Sequence, residues 1–459
     1  MDDILLKFKE LIEKKSYKEF REHCSDINEA DMASLLEELE MPELLTFFRI
    51  LPKDMAADVF AYLPIDIQQE MILKFSLGEA ARIIEDLDVD DAADLMDEMP
   101  SNVVTRLLNN TDKETRDTIN ALLKYESDSA GSIMTTEYEA LKQNLTVTQA
   151  IEKIRKDGID KETINNCYVL DPQRHLIGTV TLRQILFADP ATEIGDIMTD
   201  HVISVTTSTD QEEVAREIQK YDFSAMPVVD SENRMVGIVT IDDIIDILQQ
   251  EATEDIEKMA AISPSDMPYL KTGVFETWKK RIPWLLLLMI SATFTGLIIQ
   301  SYEDSLKVIP ILTAFIPMIM DTGGNAGSQA SVSIIRALSL NELEFRDIGR
   351  TIWKEIRVAV LIGATLACAN FVKLLLIDRV ETTVAFVVCF TLVATVFVAK
   401  FVGCTLPLLA KKLGFDPAVM ASPFITTIVD ALSLVVYFMI ASSMLDFSAA
   451  AAEAAAMVH

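Results

Sequence analysis

The pattern of apolar and polar positions predicts an all-helical first part of the chain. Over residues 1–128, apolar positions recur at spacings of three and four, and turn residues punctuate them. Segments such as ADMASLLEELEMPE and LGEAARIIEDLDVD follow one another every dozen to twenty residues. This spacing predicts short amphipathic helices. Because such helices cannot bury their apolar faces alone, we expect them to stack into a superhelical array.

A second repeat, richer in β-branched residues, occupies residues 129–250. GSIMTTEYEAL is matched by GDIMTDHVISV, and YVLDPQRHLIGTVTLRQIL is matched by PVVDSENRMVGIVTIDDII. Each copy alternates helix with strand, and the runs through Gly178 and Gly237 end where Thr181 and Thr240 open a helix. The two copies predict an α/β domain, and they resemble a tandem pair of CBS (cystathionine β-synthase type) modules.

The CBS resemblance implies a candidate nucleotide site. Such pairs often bind adenosine nucleotides through a hydroxyl residue that is followed three positions later by Asp. The second copy has Thr240 and Asp243, whereas the first has Thr181 and Gln184 with Arg183 between them. Without a carboxylate, the first cleft lacks the expected acceptor for ribose hydroxyls. ATP is therefore a candidate ligand, with Thr181, Arg183 and Thr240 as the candidate residues.

The last part of the chain carries five apolar stretches that predict a transmembrane domain. Each is long enough to cross a hydrocarbon core, which takes about 20 helical residues. They lie near residues 282–300, 308–338, 356–376, 384–409 and 423–445. We expect a connecting helix over 251–275 and a five-helix transmembrane pore domain over 276–459.

The flanks of these stretches predict the orientation in the membrane. The first 20 residues are charged and contain no secretory h-region. By the positive-inside rule, the N-terminal half is cytoplasmic and the C-terminus lies outside the cell (inner) membrane. The basic residues that set this orientation precede the first stretch or lie between the second and third and between the fourth and fifth: Lys279, Lys280, Arg281, Arg336, Arg346, Arg350, Lys354, Arg357, Lys411 and Lys412.

The second stretch is interrupted by polar residues and glycines. From Ile311 it reads ILTAFIPMIMDTGGNAGSQASVSIIRAL. Irregular backbone within a bilayer is tolerated only where protein or a water-filled path satisfies its polar groups. We therefore expect a broken helix that lines a permeation route, with Asn325 and Gln329 among the pore-lining residues.

The fifth stretch contains a carboxylate, Asp430. Such a group costs about 2.5 to 3.5 kcal/mol on insertion scales and is usually functional. Ser422 and Thr426 precede it at steps of four, so the three side chains share one helix face. Their oxygens suit a hard cation. No His or Cys set accompanies them in the sequence, so a zinc or copper site is not expected.

Acidic charge is concentrated in the soluble part. Residues 1–270 hold 57 acidic and 25 basic side chains, whereas residues 271–459 hold 14 and 15. This surface favours cations over nucleic acid. Crowded carboxylates repel one another by about 1 to 4 kcal/mol for each close pair, which a bound cation would relieve. The alternative is that the acidity only confers solubility.

The whole arrangement resembles the MgtE family of magnesium channels and transporters. The runs GGNAGSQA at 323–330 and LGFDPAVMASPFITTIVD at 413–430 are similar to that family's membrane signatures. The resemblance implies a homodimer with a pore between its membrane domains. Asp430 falls at the pore-ion position, with Ser422 and Thr426 at pore-facing positions. One departure is Lys400, in the fourth stretch, where a neutral polar residue is expected.

The same resemblance implies regulatory Mg²⁺ ligands in the soluble part. They lie in the helical part, in the CBS pair and in the connecting helix: Asp58, Asp90, Asp94, Glu212, Asp222, Asp243, Asp246, Glu251, Glu254 and Asp255. Of these, Asp90 and Asp94 are one helical turn apart and so share a face.

These observations predict a magnesium channel for uptake that closes when intracellular Mg²⁺ binds between the helical part, the CBS pair and the connecting helix. Mg²⁺ is then both transported and regulatory. One alternative is a secondary transporter that exchanges Mg²⁺ or Co²⁺ for Na⁺ or H⁺. Another is an energy sensor whose CBS pair reads nucleotides and whose membrane part is an anchor. An enzyme is not expected, because the sequence has no nucleophile and base constellation, P-loop or dinucleotide fingerprint.

Overall fold

The computed structural model describes residues 2–14, 16–24, 26–265, 269–420 and 422–445. The chain forms two compact units, Met1–Gln249 and Gln250–His459. The first unit contains the helical part and the CBS pair. The second contains the long apolar helices.

Short helices fill the first part of the first unit, as the sequence predicted. Their buried apolar side chains, including Phe20, Leu36 and Phe60, join one core that continues into the second CBS copy at Val214 and Val239. In the described part of residues 1–128 the helices are α1 (Asp2–Glu13), α2 (Tyr17–Cys24), α3 (Glu29–Glu37), α4 (Met41–Phe48), α5 (Lys53–Ala61), α6 (Ile65–Lys74), α7 (Leu77–Asp86), α8 (Val89–Asp97), α9 (Ser101–Leu108) and α10 (Lys113–Leu122).

Local sequence explains why these helices are short. A capping box begins α7, since Ser76 Oγ accepts from the Glu79 amide at 3.3 Å and the Glu79 carboxylate accepts from the Ser76 amide at 2.9 Å. Proline occupies the position before α5, α6 and α9. Because proline cannot donate a backbone hydrogen bond, it interrupts the preceding helix and permits a new one.

The CBS pair has the predicted internal repeat. Its two sheets have strand orders β1-β2-β3 and β4-β5-β6, and in each the first two strands are parallel and the last two antiparallel. The elements are β1 (Tyr138–Leu141), α11 (Val147–Asp157), β2 (Thr163–Leu170), β3 (Leu176–Thr181), α12 (Leu182–Phe187), α13 (Ile194–Ile197), β4 (Val205–Thr206), α14 (Gln211–Tyr221), β5 (Ala225–Val229) and β6 (Met235–Thr240).

One helix, α15 (Ile241–Met259), starts directly after β6 and contains the boundary between the two compact units. A connecting helix was expected over 251–275. The helix instead begins ten residues earlier, because it is the helix that follows Thr240 in the second CBS copy. It ends where Ala261 adopts a positive φ of 55° and Pro264 follows three residues later.

Five long helices make up most of the second unit. They are α16 (Val274–Ser301), α18 (Ile316–Ser339), α19 (Ile348–Leu376), α20 (Thr382–Lys412) and α21 (Ser422–Met444), with the short α17 (Glu303–Val308) after α16. Among the described residues, four helices are long and apolar enough to cross a membrane, and α18 is not one of them. The second predicted span is therefore present as a helix of 24 residues, α18, with a more polar composition.

The prediction of a break within the second span is wrong. Helix α18 runs without interruption from Ile316 to Ser339, through Gly323, Gly324 and Gly327. The irregular backbone instead precedes it, as a 3-10 turn at Pro310–Phe315. The reason is that the glycines lie where α18 packs closely on α20 and α21, and small residues permit such approach without ending a helix.

Candidate pore and regulatory sites

Asp430 lies where α21 packs against the glycines of α18. A Cβ on Gly324 would lie 3.0 Å from Cγ2 of Thr426 and 3.6 Å from Oδ1 of Asp430. Thr426 and Asp430 therefore share the face of α21 that meets α18, as the spacing predicted. The Thr426 hydroxyl donates to the Pro423 carbonyl at 2.9 Å, which leaves its oxygen lone pairs available to a ligand. Ser422 begins α21, and its side chain lies outside the described part.

A polar stripe runs along the exposed side of α18. Asp321, Asn325 and Gln329 follow one another at four-residue steps, and all three are exposed. Asn325 and Gln329 were predicted to line the pore. Asp321 was not assigned a role. The four-residue spacing to Asn325 was the signal in the sequence that would have identified it.

The predicted pair of carboxylates on α8 meets the first turn of α15. Burial, then the charge of Asp243, raises the pKa of Asp90 to about 8. Burial, followed by the charges of Asp91 and Asp243, raises the pKa of Asp94 to about 7. The pKa of Asp243 is itself raised, chiefly by burial. The structure thus brings Asp90, Asp94 and Asp243 into one electrostatic cluster.

Two further carboxylates that were not predicted join this cluster. Burial, together with Asp88 and Asp243, raises the pKa of Asp91 to about 6. Burial, together with Asp88, Asp242 and Asp243, raises the pKa of Glu162 to about 7. Glu162 lies just before β2, and no local pattern marks it. Only the folded arrangement brings it near α8.

The chemistry of this cluster fits a hydrated magnesium ion. Carboxylate oxygens are the preferred protein ligands, and Mg²⁺ usually keeps several waters while binding one or two carboxylates. The leading charges that act on Asp90 and Asp94 are all carboxylates, which repel one another. Within the part of the chain that the structure describes, no three His, Cys, Asp or Glu side chains already converge on one point. Water-mediated bridging suits this geometry better than a closed cage of ligands.

The other predicted regulatory residues of the first unit differ in their surroundings. Asp246 is exposed, but its charge contributes to the raised pKa of Asp243. Asp58 is exposed on α5. Glu212 forms an ion pair of 3.0 Å with Arg216 on the next turn of α14. Asp222 ends α14 in the left-handed conformation, with a φ of 54°.

The last two turns of α15 are held within the second unit. Asp255 accepts a hydrogen bond from Ser339 of α18 at 3.3 Å, and Lys258 lies 2.8 Å from Asp416 in the turn before α21. Met259 packs against Ile335 of α18 and Ala418. This end of α15 therefore contacts α18 and the turn that precedes α21.

The carboxylates at this end of α15 are already engaged. Glu254 pairs with Lys258 at 2.6 Å. Burial lowers the pKa of Lys258, but its hydrogen bonds to Asp416 and Glu254 outweigh that effect and raise it overall. Burial also raises the pKa of Asp255. Glu251, one turn before Asp255, is partly buried.

Thr181 and Thr240, two of the candidate nucleotide residues, lie at the ends of β3 and β6, as predicted, and Arg183 lies in α12. Thr181 and Gln184 cap α12 reciprocally, since the Thr181 hydroxyl accepts from the Gln184 amide at 3.2 Å and the Gln184 side chain accepts from the Thr181 amide at 2.8 Å. Arg183 is exposed. In the second copy, the Thr240 hydroxyl donates to Asp243 at 2.5 Å. Both hydroxyl groups are therefore engaged within the protein.

Comparison with known proteins places each part of the chain. The family model for divalent cation transporters matches residues 316–440, that for the MgtE intracellular N domain matches 27–128, and that for the CBS domain matches 130–191 and 194–250. The chain is similar to the magnesium transporter MgtE of Thermus thermophilus, with 36% identity over 97% of this chain and 99% of the relative. It is 34% identical to the magnesium transporter MgtE of Bacillus subtilis, over 96% of this chain and 97% of the relative.

Two solved structures resemble the first unit. One is the cytosolic domain of the Mg²⁺ channel MgtE in complex with ATP, with 36% identity and a TM-score of 0.51, covering 53% of this chain and 99% of that one. The other is the soluble part of a magnesium transporter, with 31% identity and a TM-score of 0.53, covering 55% and 99%. The resemblance drawn from the sequence is confirmed, and the chain belongs to the MgtE family of magnesium transporters, whose members are not enzymes.

Proposed function

We propose that this protein is a magnesium channel that takes up Mg²⁺ through a pore lined by Asp430. The observation that carries the proposal is the packing of Thr426 and Asp430 against Gly324. A carboxylate within an apolar helix is costly and is retained where it binds an ion or a partner. Here it lies beside Gly324 and on the same helix face as the Thr426 hydroxyl group, and carboxylate and hydroxyl oxygens are ligands suited to Mg²⁺.

We propose a homodimer whose pore lies between the two membrane domains. Asp321, Asn325 and Gln329 are exposed on one side of α18. Lipid cannot form hydrogen bonds with these polar side chains, whereas water in a path shared with a second protomer can. In this arrangement the face of α18 and the Asp430 side chain of each protomer border the same path.

The ion would pass this pore with most of its waters retained. Mg²⁺ dehydrates reluctantly and demands near-octahedral geometry. Two Asp430 carboxylates and the neighbouring Thr426 hydroxyls cannot replace six waters. Selection would therefore depend on pore width and on hydrogen bonds from these side chains to the waters around the ion.

Gating by intracellular Mg²⁺ follows from the acidic cluster and from α15. Without a cation, the carboxylates of Asp90, Asp94 and Asp243 oppose the contact between α8 and α15. Mg²⁺ stabilises that contact to the extent that it binds the compact arrangement more tightly than the separated one. Helix α15 continues to Asp255, which contacts α18, and to Lys258, which pairs with Asp416 in the turn before α21. Through these contacts the bound cation favours the closed pore.

Nucleotide binding by the CBS pair is a secondary proposal. A solved relative is described in complex with ATP. In this chain Gln184 replaces the expected carboxylate of the first cleft, and Asp243 of the second belongs to the acidic cluster. We therefore expect ATP to bind weakly. Because Asp243 belongs to both sites, we also expect ATP to compete with the binding of Mg²⁺ to the acidic cluster. Calorimetric titration of the protein with ATP, with and without Mg²⁺, tests this.

The pore assignment is tested by Asp430→Asn, which preserves the shape of the side chain and removes its charge. The purified variant, in liposomes that contain a Mg²⁺-sensitive dye, should no longer take up Mg²⁺. Asp378→Asn is the matched control and should take up Mg²⁺ at the parental rate. Asp378 is a carboxylate outside the helices that pairs with Lys373 at 2.8 Å. Uptake by Asp430→Asn at the parental rate would exclude the pore assignment.

A further inference from the structure

The ion pair between Lys400 of α20 and Glu355 of α19 has no place in the site described above. Lys400 Nζ lies 3.6 Å from Glu355 Oε2, and the two side chains are 6% and 12% exposed. Glu355 Oε2 is buried and accepts no hydrogen bond from the described residues. Nonpolar residues flank Lys400 on both sides, in the run VFVAKFVGC. Intramembrane charges are costly, and their presence indicates a function.

The backbone around Lys400 touches the glycine face of α18. A Cβ on Gly403, one turn after Lys400, would overlap with the carbonyl oxygen of Gly327. A Cβ on Gly327 would in turn lie 3.4 Å from the carbonyl oxygen of Ala399, the residue before Lys400. Backbone thus packs directly on backbone at this crossing, with no flexible side chain between the helices to absorb a shift.

The same part of α18 contacts α21 beside Asp430. A Cβ on Gly327 would lie 2.9 Å from Cγ2 of Ile425 and 3.3 Å from Cγ2 of Val429, which precedes Asp430. A displacement of α20 at Lys400 is therefore transmitted through Gly327 to the helix that carries the pore carboxylate. Packed interiors respond to such displacement as rigid contacts, because few voids are available.

We propose that Lys400 and Glu355 are a positioning pair for ion permeation. Their attraction fixes α20 against α19 and so sets the distance between α18 and Asp430; this role rests on the proposed pore. Because the pair is buried, removing one partner leaves a buried charge without an opposite charge, which is costly. Replacing both partners with apolar residues leaves no buried charge. That asymmetry distinguishes an interacting pair from two independent side chains.

The experiment is a double-mutant cycle on Mg²⁺ flux in liposomes, with flux normalised to the amount of monodisperse protein. The variants are Lys400→Met, Glu355→Met and the double variant. We expect each single variant to lower the flux at least tenfold, and the double variant to be less impaired than either. The ratio of Mg²⁺ to Ca²⁺ flux should also shift at least threefold in the single variants, which a lower yield of folded protein would not cause.

Two further variants keep the proposal testable if Lys400→Met does not fold. Lys400→Arg preserves the charge and should retain flux within about threefold of the parent. The exchanged pair, Lys400→Glu with Glu355→Lys, should recover flux relative to Lys400→Glu alone. Lys373→Met, which removes an exposed ion pair, is the matched control and should not change flux.

Three outcomes would overturn the proposal. One is parental flux and selectivity in Lys400→Met. The second is single effects that simply add in the double variant. The third is loss of flux in Lys400→Arg as complete as in Lys400→Met, because Arg does not release a proton and such loss would assign Lys400 to proton exchange. If Asp430→Asn retains parental flux, the proposed pore fails independently of these results.

Discussion

Replacing Asp90 with Asn should stabilise the contact between α8 and α15 in the absence of Mg²⁺. The structure raises the pKa of Asp90 from 3.8 to about 8. Each pKa unit corresponds to about 1.4 kcal/mol, so at pH 7 the compact arrangement loses up to about 4 kcal/mol, relative to a neutral side chain of the same shape, because Asp90 must take up a proton or remain charged while buried. Asn removes that penalty, and with it part of the requirement for Mg²⁺.

The raised pKa of Asp90 also determines how the stability of the compact arrangement depends on pH. A carboxyl group with a raised pKa holds its proton in the compact arrangement at a pH where the separated arrangement has lost it. The compact arrangement therefore gains stability as the pH falls from about 8 towards 4, and loses it as the pH rises through that range. Asp90 contributes a slope of about 1.4 kcal/mol per pH unit between these limits, and Asp90→Asn removes that contribution.

Hydrogen exchange of the full-length protein at pH 6 and pH 8, without Mg²⁺ and corrected for the intrinsic rate, measures this effect. In the parent, peptides from α8 and the start of α15 should be less protected at pH 8 than at pH 6. In Asp90→Asn the difference should shrink, and Mg²⁺ should add less protection at pH 8. Asp31→Asn, at an exposed position on α3, is the control. Equal pH dependence in parent and Asp90→Asn would refute the electrostatic account.

Three further predictions concern the remaining contacts. Gly403→Ala should lower Mg²⁺ flux at least tenfold without preventing membrane insertion, because its Cβ would overlap with Gly327; flux at the parental level would show that α18 and α20 need not pack this closely. Lys258→Met should weaken closure, since it breaks the pairs with Asp416 and Glu254, and so should raise the Mg²⁺ concentration on the side of the soluble part that halves the flux. An unchanged concentration would contradict the role of α15. Mg²⁺ at millimolar levels should protect residues 120–130 and 250–270 from protease, and protection by potassium at equal ionic strength would reduce the effect to screening.

Periodicity was sufficient to predict the helical part, the CBS repeat and the position of most long helices. These features depend on the spacing of apolar residues and on turn residues that are close together in the sequence, so a single sequence is enough to predict them. The boundary of α15 could not be read this way. Its start is set by β6 and its end by the backbone at Ala261, and the acidic run between them has no turn residue to mark either limit.

The glycines of α18 show how a correct observation led to a wrong structure. In a soluble helix, several glycines and polar residues close together predict a break. In this unit they instead permit close packing on α20 and α21, and tertiary contact overrides propensity. The pattern did mark the face of α18 that packs on α20 and α21. It could not indicate that the helix is continuous there.

The acidic cluster was only partly predictable, because long-range contacts complete it. Asp90 and Asp94 share a helix face, which spacing alone reveals. Glu162 comes from the segment before β2 and carries no signal of its own, and the partner of Lys400 is a glutamate 45 positions earlier in the sequence. Such contacts follow from the folded chain, so sequence spacing cannot identify them.

Recording of single-channel currents from the purified protein in a planar bilayer, with the Mg²⁺ concentration varied on the side of the soluble part, tests the central claim most directly. A gated magnesium channel predicts discrete Mg²⁺ currents that close as this concentration reaches millimolar levels and that are absent in Asp430→Asn. Uptake that saturates, depends on a sodium or proton gradient and shows no discrete currents would contradict the channel and support coupled transport instead.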